Sequence, residues 1–419
     1  MPDTPLSFPN RRGEQLSARL ALPVDGAPVA YALFAHCFTC SKDLKAVTEI
    51  VRALGRAGIA TLRFDFTGLG ESEGDFADTT LSHNVDDLLD ATDFLERRYA
   101  APGLLIGHSL GGAAVLQAAG RMPSVRAVAT IGAPFEANHV THLFSTSERD
   151  EAYATGAATA TIAGRTFRVR KEFFEDLEEH SMQRHIRDLG RPLLVLHSPT
   201  DNVVGVDNAR LIFEAARHPK SFLSLHQADH LLSRRQDARF AGEMIASWAA
   251  AYLGRDQAPA WQADIQDNRT VVRTETGLRT EAMSNGFGLL LDEPVAVGGT
   301  NTGPTPYDLL ATALAACTSM TLRLYADRKR WPLAAVMVEV DHRKVHAEDS
   351  QGSETTPARL DLFERHILVE GPLDEQQRAR LLEIADRCPV HRTLWSQARI
   401  VTHLGERSAP REASPYHPL

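Results

Sequence analysis

A chain of 419 residues is too long for one ordinary hydrophobic core, so we expect at least two domains of unequal size. The composition is that of a globular protein, and a net charge of −9 argues against nucleic acid or an anionic membrane surface as a partner. The N-terminus has no apolar run, the longest charge-free apolar stretch (residues 309–322) is shorter than a bilayer span, and four cysteines do not make a disulfide framework. We therefore predict a cytoplasmic protein.

Up to about residue 254, short apolar strands alternate with helical patterns. The strands are nearly continuous hydrophobic runs, as expected of parallel strands that are covered on both faces. They are predicted at residues 29–36, 59–66, 103–108, 125–131, 192–197 and 221–226. Helices are predicted between them, including residues 43–56, 82–98, 111–121 and 207–217. This alternation predicts a doubly wound, mostly parallel sheet over residues 1–254.

One gap between the predicted strands is too long for a simple crossover. Residues 132–191 contain a predicted hairpin (TATIAGRTFRVR) and a helix at residues 171–189. We interpret this segment as a small cap inserted over one edge of the sheet. Four apolar side chains could line it: Leu143, Phe144, Phe173 and Phe174.

The second part of the chain follows a predicted linker at residues 255–264 and has a different pattern. Strands are predicted at residues 270–274, 279–283, 288–292, 334–346, 359–370 and near 400–403. Helices are predicted at residues 306–330, from about 373–375 onward, and after Cys388-Pro389. Strands that are segregated from helices indicate an α+β domain over residues 265–419.

Residues 107–111 read Gly-His-Ser-Leu-Gly, a G-x-S-x-G pattern between an apolar strand and a helix. A nucleophilic serine must protrude from a sharp strand-to-helix turn, and small residues on either side permit the strained backbone. The helix that follows directs N–H dipoles toward a developing oxyanion. Ser109 is therefore the predicted nucleophile. The alternative is a glycine-rich turn that only packs the helix on the sheet.

An acid and a base should follow Ser109 in the chain, each at the carboxyl end of a later strand. Asp201 lies on the loop after the strand at residues 192–197, and His230 lies on the loop after the last strand. We predict them as the acid and the base. Three alternatives remain, which are His226 for the base and Asp207 and Asp229 for the acid.

With these motifs in place, the first part of the chain resembles the α/β-hydrolase superfamily over nearly its whole length. Besides GHSLG, residues 63–72 (RFDFTGLGES) are similar to the superfamily's D-x-x-G-x-G-x-S loop, and a P-x-D and a D-H follow late. The resemblance implies an oxyanion hole formed by the N–H groups of Phe38, after the third strand, and of Leu110. Cys37 stands where the family usually has glycine.

The serine nucleophile excludes two relatives by their chemistry, because a dehalogenase needs a carboxylate and a dienelactone hydrolase needs a thiolate. What remains is acyl transfer to water by a carboxylesterase, a thioesterase or a small peptidase. A small-molecule ester is the expected substrate, and no cofactor or metal is expected. His230 would act as base and then as acid, while Asp201 would hold its tautomer. Because a cap restricts water, we expect short acyl chains to be preferred.

Four residues near the serine are expected to have no chemical role. His36 and His108 flank the site and are predicted to pack and to form hydrogen bonds, since His230 already supplies the base. Cys37 and Cys40 form a C-x-x-C, which we interpret as two ordinary small residues because nothing else suggests a thioredoxin motif.

The second part resembles the OsmC and organic hydroperoxide resistance family over about residues 265–405. The matching segments are GPTPYDLL at residues 303–310, Ala-Ala-Cys ending at Cys317, and Cys388-Pro389. A proline is a good first helical residue, so the Cys388 sulfur would lie at a helix N-terminus, where a thiolate is favoured. By its position alone Cys317 would be a small core residue, and only the paired pattern makes it a redox candidate.

In this family one cysteine attacks the peroxide, the second resolves it as a disulfide, and an arginine and a glutamate assist. The resemblance implies that Cys317 and Cys388 are the redox pair, with an organic hydroperoxide and a thiol reductant as partners. Tyr307 stands at the glutamate position and Asp308 follows it, while Arg279 is the candidate arginine. Family members are intertwined dimers, which implies a homodimer through this domain.

Three functions are therefore open. The chain could be a serine hydrolase with a dimerising or redox domain, a thiol peroxidase with an accessory hydrolase, or a scaffold with two decayed sites. The apparently complete triad argues against the scaffold, and the missing glutamate favours the hydrolase over the peroxidase.

Overall fold

The computed structural model describes residues 3–37, 41–162, 165–179, 182–253, 270–346, 359–396 and 398–404. Contacts within this part of the chain divide it into two compact units. The first contains the described residues up to Arg273 together with Glu281–Leu289, and the second contains Thr274–Thr280 and the described residues from Leu290 onward. The predicted linker at residues 255–264 lies outside the described residues.

The first unit is built on a twisted sheet with helices on both faces. Its described residues form ten strands: β1 Asp3–Pro9, β2 Gln15–Ala21, β3 Ala30–Ala35, β4 Ile59–Phe64, β5 Leu104–His108, β6 Ala127–Ile131, β7 Ala157–Ile162, β8 Arg165–Arg170, β9 Leu193–His197 and β10 Lys220–Ser224. The main sheet has the order β1-β2-β4-β3-β5-β6-β9-β10. From β4 to β10 the neighbouring strands are parallel, which confirms the predicted sheet.

Two strands at one edge of the sheet were not predicted. β1 pairs antiparallel with β2, and β2 pairs antiparallel with β4. Residues of β2 alternate between exposed and buried positions, as in a sheet edge with one solvated face. The continuous apolar runs that mark the parallel strands are missing there, because only one face of these strands enters the core.

The described residues of the first unit form eight α-helices: α1 Lys45–Arg56, α2 Leu81–Arg98, α3 Leu110–Ala118, α4 Thr146–Thr155, α5 Lys171–Glu179, α6 Met182–Arg187, α7 Asp207–Ala215 and α8 Arg235–Ala250. Helices α2 and α3 share one core with Leu33 and Leu105. Helices α1 and α8 share the other core with Phe34, Leu104 and Ile106. Successive residues of a strand point to opposite faces, so a strand covered on both faces must be apolar throughout.

Between β6 and β9 the described residues form a 3-10 helix at Ala137–Leu143, then α4, the β7–β8 hairpin, α5 and α6. Of the helix predicted at residues 171–189, the structure describes α5, Lys171–Glu179, and α6, Met182–Arg187, and the two residues between them lie outside the described part of the chain. Phe144, Phe173 and Phe174 are buried against one another, with Phe144 and Phe174 in edge contact at 5.1 Å. These phenylalanines form the core of the insertion itself, which corrects the expectation that they line it.

The remaining elements are strands separate from helices, as predicted: β11 Thr270–Thr274, β12 Thr280–Ser284, β13 Phe287–Leu291, α9 Pro306–Lys329, β14 Ala335–His346, β15 Arg359–Glu370, α10 Glu375–Ala385 and α11 Pro389–Trp395. Strands β11–β13 form one sheet, and β14 and β15 form an antiparallel hairpin. The prediction of a final strand near residues 400–403 is wrong, since residues 398–404 have no regular structure.

Helix α9 is long and unusually apolar. A capping box between Thr305 and Asp308 starts it, and its buried positions, including Leu314, Thr318 and Leu322, recur every four residues along one stripe. By length and composition its 24 residues could cross a membrane. The sequence had pointed to a charge-free stretch at residues 309–322 alone, which is too short to do so. The core helix of a globular protein passes the same test.

Candidate active site

Ser109 lies at the turn between β5 and α3, where a nucleophile was predicted. Its backbone has φ 54° and ψ −125°, in a region that residues other than glycine rarely adopt. The Ser109 N–H donates a hydrogen bond of 2.9 Å to the carbonyl of Ile131 on the neighbouring strand β6. The turn is therefore strained but anchored, and it separates the Ser109 side chain from both regular elements.

The two glycines of the pentapeptide are required by close backbone contacts. A Cβ on Gly107 would lie 2.4 Å from the carbonyl oxygen of Gly111. A Cβ on Gly111 would lie 2.4 Å from the carbonyl oxygen of His36. Both distances are far below van der Waals contact, so only glycine lets α3 approach the strands this closely.

The three side chains predicted as nucleophile, base and acid meet in one chain of hydrogen bonds. His230 Nε2 lies 3.0 Å from Ser109 Oγ, and His230 Nδ1 lies 2.7 Å from Asp201 Oδ2. Asp201 and His230 are each only 8% exposed, whereas Ser109 is partly exposed. This is the geometry in which an imidazole can take a proton from a hydroxyl while a carboxylate fixes its tautomer.

The alternative acids are engaged elsewhere. Asp229 accepts a hydrogen bond of 2.7 Å from the N–H of Ser233. Asp207 lies in the first turn of α7 and pairs with Arg210. The alternative base His226 adopts a φ of 50° in the turn after β10. The hydrogen-bond chain to Ser109 runs instead through Asp201 and His230.

Backbone N–H groups hold the carboxylate of Asp201. Its Oδ1 accepts two hydrogen bonds of 2.9 Å, from the N–H groups of Val203 and Val204. Burial works against ionisation of Asp201, but the hydrogen bond from His230 and these two N–H groups outweigh it and lower the pKa of the carboxyl. Asp201 is therefore ionised, which favours a proton on His230 Nδ1.

Gly132, directly after β6, lies against this pair and was not predicted. Its φ is +54°, and a Cβ there would lie 3.3 Å from both Asp201 Oδ2 and His230 Nδ1. A larger residue would press on the contact between the acid and the base. The only signal in the sequence is a glycine at the carboxyl end of a strand next to the one that bears Ser109.

Buried histidines surround the three residues without belonging to the hydrogen-bond chain, as predicted for His36 and His108. His108 Nε2 donates a hydrogen bond of 2.7 Å to the backbone carbonyl of His230. Burial lowers the pKa of His108 to about 4, so this imidazole is neutral at physiological pH. His36 Nδ1 donates to the carbonyl of Cys37, and His197 Nε2 donates to the carbonyl of Val204.

Only one of the two predicted oxyanion donors can be located. Leu110 is the first residue of α3, where an N–H has no acceptor within the helix. Phe38 and Cys40 lie outside the described residues. Cys37 is buried and disulfide-bonded, which corrects the expectation of an ordinary small residue.

A narrow cleft opens beside Ser109, with an empty volume of about 400 Å³ that includes open solvent. It is lined by Pro134, Val140 and two histidines from the start of the insertion, and by Val203 and Val204 from the loop after β9. The walls are mostly apolar. Val203 and Val204 thus line the cleft and also contact Asp201 with their backbone.

The two predicted redox cysteines are in contact in the second unit. Cys388 is the N-cap of α11, has no exposed surface, and its Sγ accepts a hydrogen bond of 3.3 Å from the N–H of His391. Cys317, on α9, is partly exposed and is hydrogen-bonded to the Cys388 side chain. Burial raises the pKa of the Cys317 thiol. Neither cysteine forms a disulfide.

The residues near the thiols differ from those that the sequence predicted to assist the cysteines. Tyr307 stacks on the ring of His342 at 4.3 Å. Arg279 lies in the turn between β11 and β12. Arg365 of β15, which was not predicted, donates a hydrogen bond to Thr318, the neighbour of Cys317. Its signal in the sequence is an arginine at an inward position of a strand.

Two family profiles match the chain. One is described as serine aminopeptidase, S33, and matches residues 33–163, and the other is described as OsmC-like protein and matches residues 299–403. Among solved structures, the esterase domain of a Rhodothermus marinus protein is 53% identical with a TM-score of 0.51, and the match covers 61% of this chain and 100% of that one. Est1E from Butyrivibrio proteoclasticus, with ferulic acid bound, is 18% identical with a TM-score of 0.53, over 59% of this chain and 99% of its own, and so shows the shared fold.

Curated relatives match the first part of the chain. Mitochondrial palmitoyl-protein thioesterase ABHD10 from Mus musculus is 27% identical over 46% of this chain, and the human protein of the same name is 28% identical over 38%. The chain spans 65% of the mouse protein and 52% of the human protein, so it covers only part of these relatives.

Proposed function

Since the chain belongs to the α/β-hydrolase superfamily through its first part and carries an OsmC-like domain in its second, we propose that it is a serine hydrolase that cleaves small esters. The observation that supports this most is the hydrogen-bond chain from Ser109 through His230 to Asp201 on a strained strand-to-helix turn. Hydrolysis of nitrophenyl esters by the full chain, together with labelling of Ser109 by a fluorophosphonate, tests the proposal. A label on another residue, or no turnover, would contradict it.

In the proposed reaction, Ser109 Oγ attacks the ester carbonyl while His230 Nε2 takes the hydroxyl proton. Asp201 keeps the other imidazole proton on Nδ1 and stabilises the imidazolium. The N–H groups of Leu110 and Phe38 would stabilise the oxyanion, helped by the positive end of the α3 dipole. His230 then protonates the leaving alcohol, and the acyl-enzyme is hydrolysed by water along the same path.

We propose short acyl chains as substrates because the cleft beside Ser109 is narrow and mostly apolar. The ABHD10 relatives are named palmitoyl-protein thioesterases, so a long-chain thioester is the contrasting candidate. Nitrophenyl esters from acetate to palmitate, compared with palmitoyl-coenzyme A, separate the two. A maximum of kcat/KM at palmitate, or a preference for the thioester, would identify a thioesterase.

We propose a second activity, thiol peroxidase, for the OsmC-like domain. The contact between the Cys317 and Cys388 side chains supports it, because a disulfide can form there without a large rearrangement. Consumption of cumene hydroperoxide with dithiothreitol as reductant tests it, with Cys317→Ser as the inactive control. The replacement of the family's glutamate by Tyr307 leads us to expect a modest rate.

We further propose that the OsmC-like domain forms a homodimer. Met320 and Leu324 of α9 are 65% and 67% exposed, which leaves an apolar helix face without cover in the described part of this domain. Sedimentation equilibrium of the full chain should give twice the monomer mass, and Met320→Glu with Leu324→Glu should give the monomer.

The domain limits and the location in the cell remain part of the proposal. We propose a hydrolase domain at residues 1–254 with a cap at about 132–191, a linker at 255–264 and an OsmC-like domain at 265–419. These limits predict that limited proteolysis cleaves the chain within residues 255–264. We also propose a cytoplasmic location. Cell fractionation tests this location.

A further inference from the structure

A threonine joins the Cys388 sulfur of the OsmC-like domain to a half-buried arginine. Thr318 follows Cys317 on α9, and its side chain is fully buried. Its Oγ1 lies 3.7 Å from Cys388 Sγ and donates to the carbonyl of Leu314 at 2.8 Å. Arg365 Nη1 donates to the same Oγ1 at 2.9 Å. The guanidinium is therefore two hydrogen-bond lengths from the Cys388 sulfur.

Arg365 also holds the turn that carries Cys388. Its Nη1 donates to the carbonyl of Ala385 at 3.0 Å, and its Nη2 pairs with Asp386 Oδ1 at 2.7 Å. These two residues end α10, directly before Cys388 at the start of α11. One side chain of β15 thus ties the helix that bears Cys317 to the turn that bears Cys388.

We propose that Arg365, acting through Thr318, positions and activates Cys388 for the attack that closes the Cys317–Cys388 disulfide. Arg365 is a positioning residue in this step, and the proposal rests on the thiol chemistry proposed above. A hydroxyl has one hydrogen, which Thr318 gives to Leu314 while Cys388 is a thiol. When Cys388 ionises, that hydrogen can turn toward the sulfur, and the Arg365 contact polarises the hydroxyl as it does so.

The steps balance with an organic hydroperoxide as the oxidant. The Cys317 thiolate attacks a peroxide oxygen, so that an S–O bond forms, the O–O bond breaks, and the alkoxide leaves as the alcohol with the proton that Cys317 gave up. The Cys388 thiolate then attacks the Cys317 sulfur, an S–S bond forms, and the S–O bond breaks. The departing hydroxide leaves as water with the proton that Cys388 gave up. Two thiols are oxidised and one hydroperoxide is reduced.

Cys388 needs such help because it has no exposed surface. Its thiolate must be stabilised by protein groups, and two donors lie within reach among the described residues. One is the N–H of His391 at 3.3 Å, and the other is the Thr318 hydroxyl. Cys317, which is partly exposed, can meet the peroxide without Arg365. Arg365 and Thr318 therefore act only in the second step, the closure of the disulfide by Cys388, and not in the attack of Cys317 on the peroxide.

The test follows both steps in the full chain after one equivalent of cumene hydroperoxide. Disulfide closure is measured by peptide mapping, and the Cys317 sulfenic acid is trapped with dimedone. We expect Thr318→Val and Arg365→Met to slow closure by about tenfold or more, with a dimedone adduct on Cys317, because each loses a hydrogen bond to a charged partner. Cys388→Ser gives the maximal adduct. Thr312→Val removes a similar helical hydroxyl, which bonds the carbonyl of Asp308, and should match the unsubstituted protein.

A second arm uses oxidised dithiothreitol, which closes the pair by exchange and needs no peroxide. The final attack by Cys388 is the same, so the two variants should again be slow. If the unsubstituted protein consumes no hydroperoxide but closes the bridge by exchange, the peroxidase function fails and the role of Arg365 is still measured. Normal closure rates in both arms for Thr318→Val, which keeps the shape of the side chain, would overturn the proposal. Failure of the unsubstituted protein to close the bridge by exchange would overturn it as well.

Discussion

The imidazole of His108 and the backbone carbonyl of His230 are joined by a hydrogen bond of 2.7 Å, and the two rings lie 5.1 Å apart. The residue directly before the proposed nucleophile thereby fixes the loop that carries the proposed base. The distance between Ser109 and His230 is therefore set by this contact as well as by the direct hydrogen bond between their side chains.

Removing this contact should impair catalysis without removing a reacting group. We expect His108→Leu to lower kcat for nitrophenyl acetate by about tenfold or more, because the buried carbonyl of His230 loses its donor and the imidazole shifts. His108→Gln, which can still donate, should recover part of the loss. Equal rates for His108→Leu and the unsubstituted protein would show that the contact has no role in catalysis.

The proposed triad makes a sharper prediction. Ser109→Ala and His230→Ala should each lower kcat by several orders of magnitude, as in known triads, and the double variant should be little worse than either single one. His226→Ala is the matched control, because His226 lies on the same loop and is outside the hydrogen-bond chain. If His226→Ala loses activity and His230→Ala keeps it, the base is misassigned.

The buried His108 should make the fold sensitive to acid. Burial lowers the pKa of His108 to about 4, whereas an unfolded histidine titrates near 6.5. Below pH 6.5 the unfolded chain binds the extra proton, so stability is lost as the pH falls from about 6.5 to 4, by up to about 3 kcal/mol. The measurement is urea unfolding at pH 7, 6, 5 and 4 for the unsubstituted protein and His108→Gln. The difference between their free energies of unfolding should change over this window, and a constant difference would contradict the prediction.

Asp292 should stabilise the OsmC-like domain. The carboxylate is buried and accepts hydrogen bonds from the hydroxyl and N–H groups of Thr300 and Thr302. Burial works against ionisation, but these donors outweigh it and hold the pKa of Asp292 well below its usual range. Its contribution is present above about pH 4 and is lost as the pH falls further.

We expect Asp292→Ala to lower the free energy of unfolding of this domain by about 3 kcal/mol or more, because several buried donors lose their acceptor. Asp361→Ala, at an exposed position of β15, is the control and should cost little. Chemical unfolding followed by tryptophan fluorescence measures both. Similar unfolding midpoints for the two variants would refute the role of Asp292.

The cleft should set the preferred acyl chain. Val203 is exposed and lines the cleft, so Val203→Ala should enlarge it with little loss of stability. We expect kcat/KM for the butyrate ester to rise relative to the acetate ester by up to about tenfold, the effect of one methylene-sized space. Val206→Ala, close in the chain but outside the cleft lining, should leave the ratio unchanged. An unchanged ratio in both variants would move the acyl site elsewhere.

Much of the proposed hydrolase site could be predicted because its signals are local. Parallel strands such as β5 must be apolar on both faces, the turn at Ser109 demands small neighbours, and Asp201 and His230 each follow a strand in the order that the chemistry needs. The edge strands β1 and β2 were missed because only one of their faces is buried.

Contacts between distant positions left only weak local signals. Arg365 reaches Thr318 across 47 positions of the chain, and its spacing from the cysteines carries no pattern. Gly132 is required only because Asp201 and His230 fold against it. Phe173 and Phe174 are apolar, which suits a core residue as well as a residue that lines a cleft. Only their packing in the folded chain shows that they belong to a core.

Val203 and Val204 hold the carboxylate of Asp201 through their amide groups alone, and both residues line the cleft. Every amino acid except proline carries that amide, and Val203 is exposed, so position 203 can accept new side chains without disturbing the acid. Related enzymes can therefore acquire new substrate ranges here by single substitutions. Evolution in the laboratory could start at this codon.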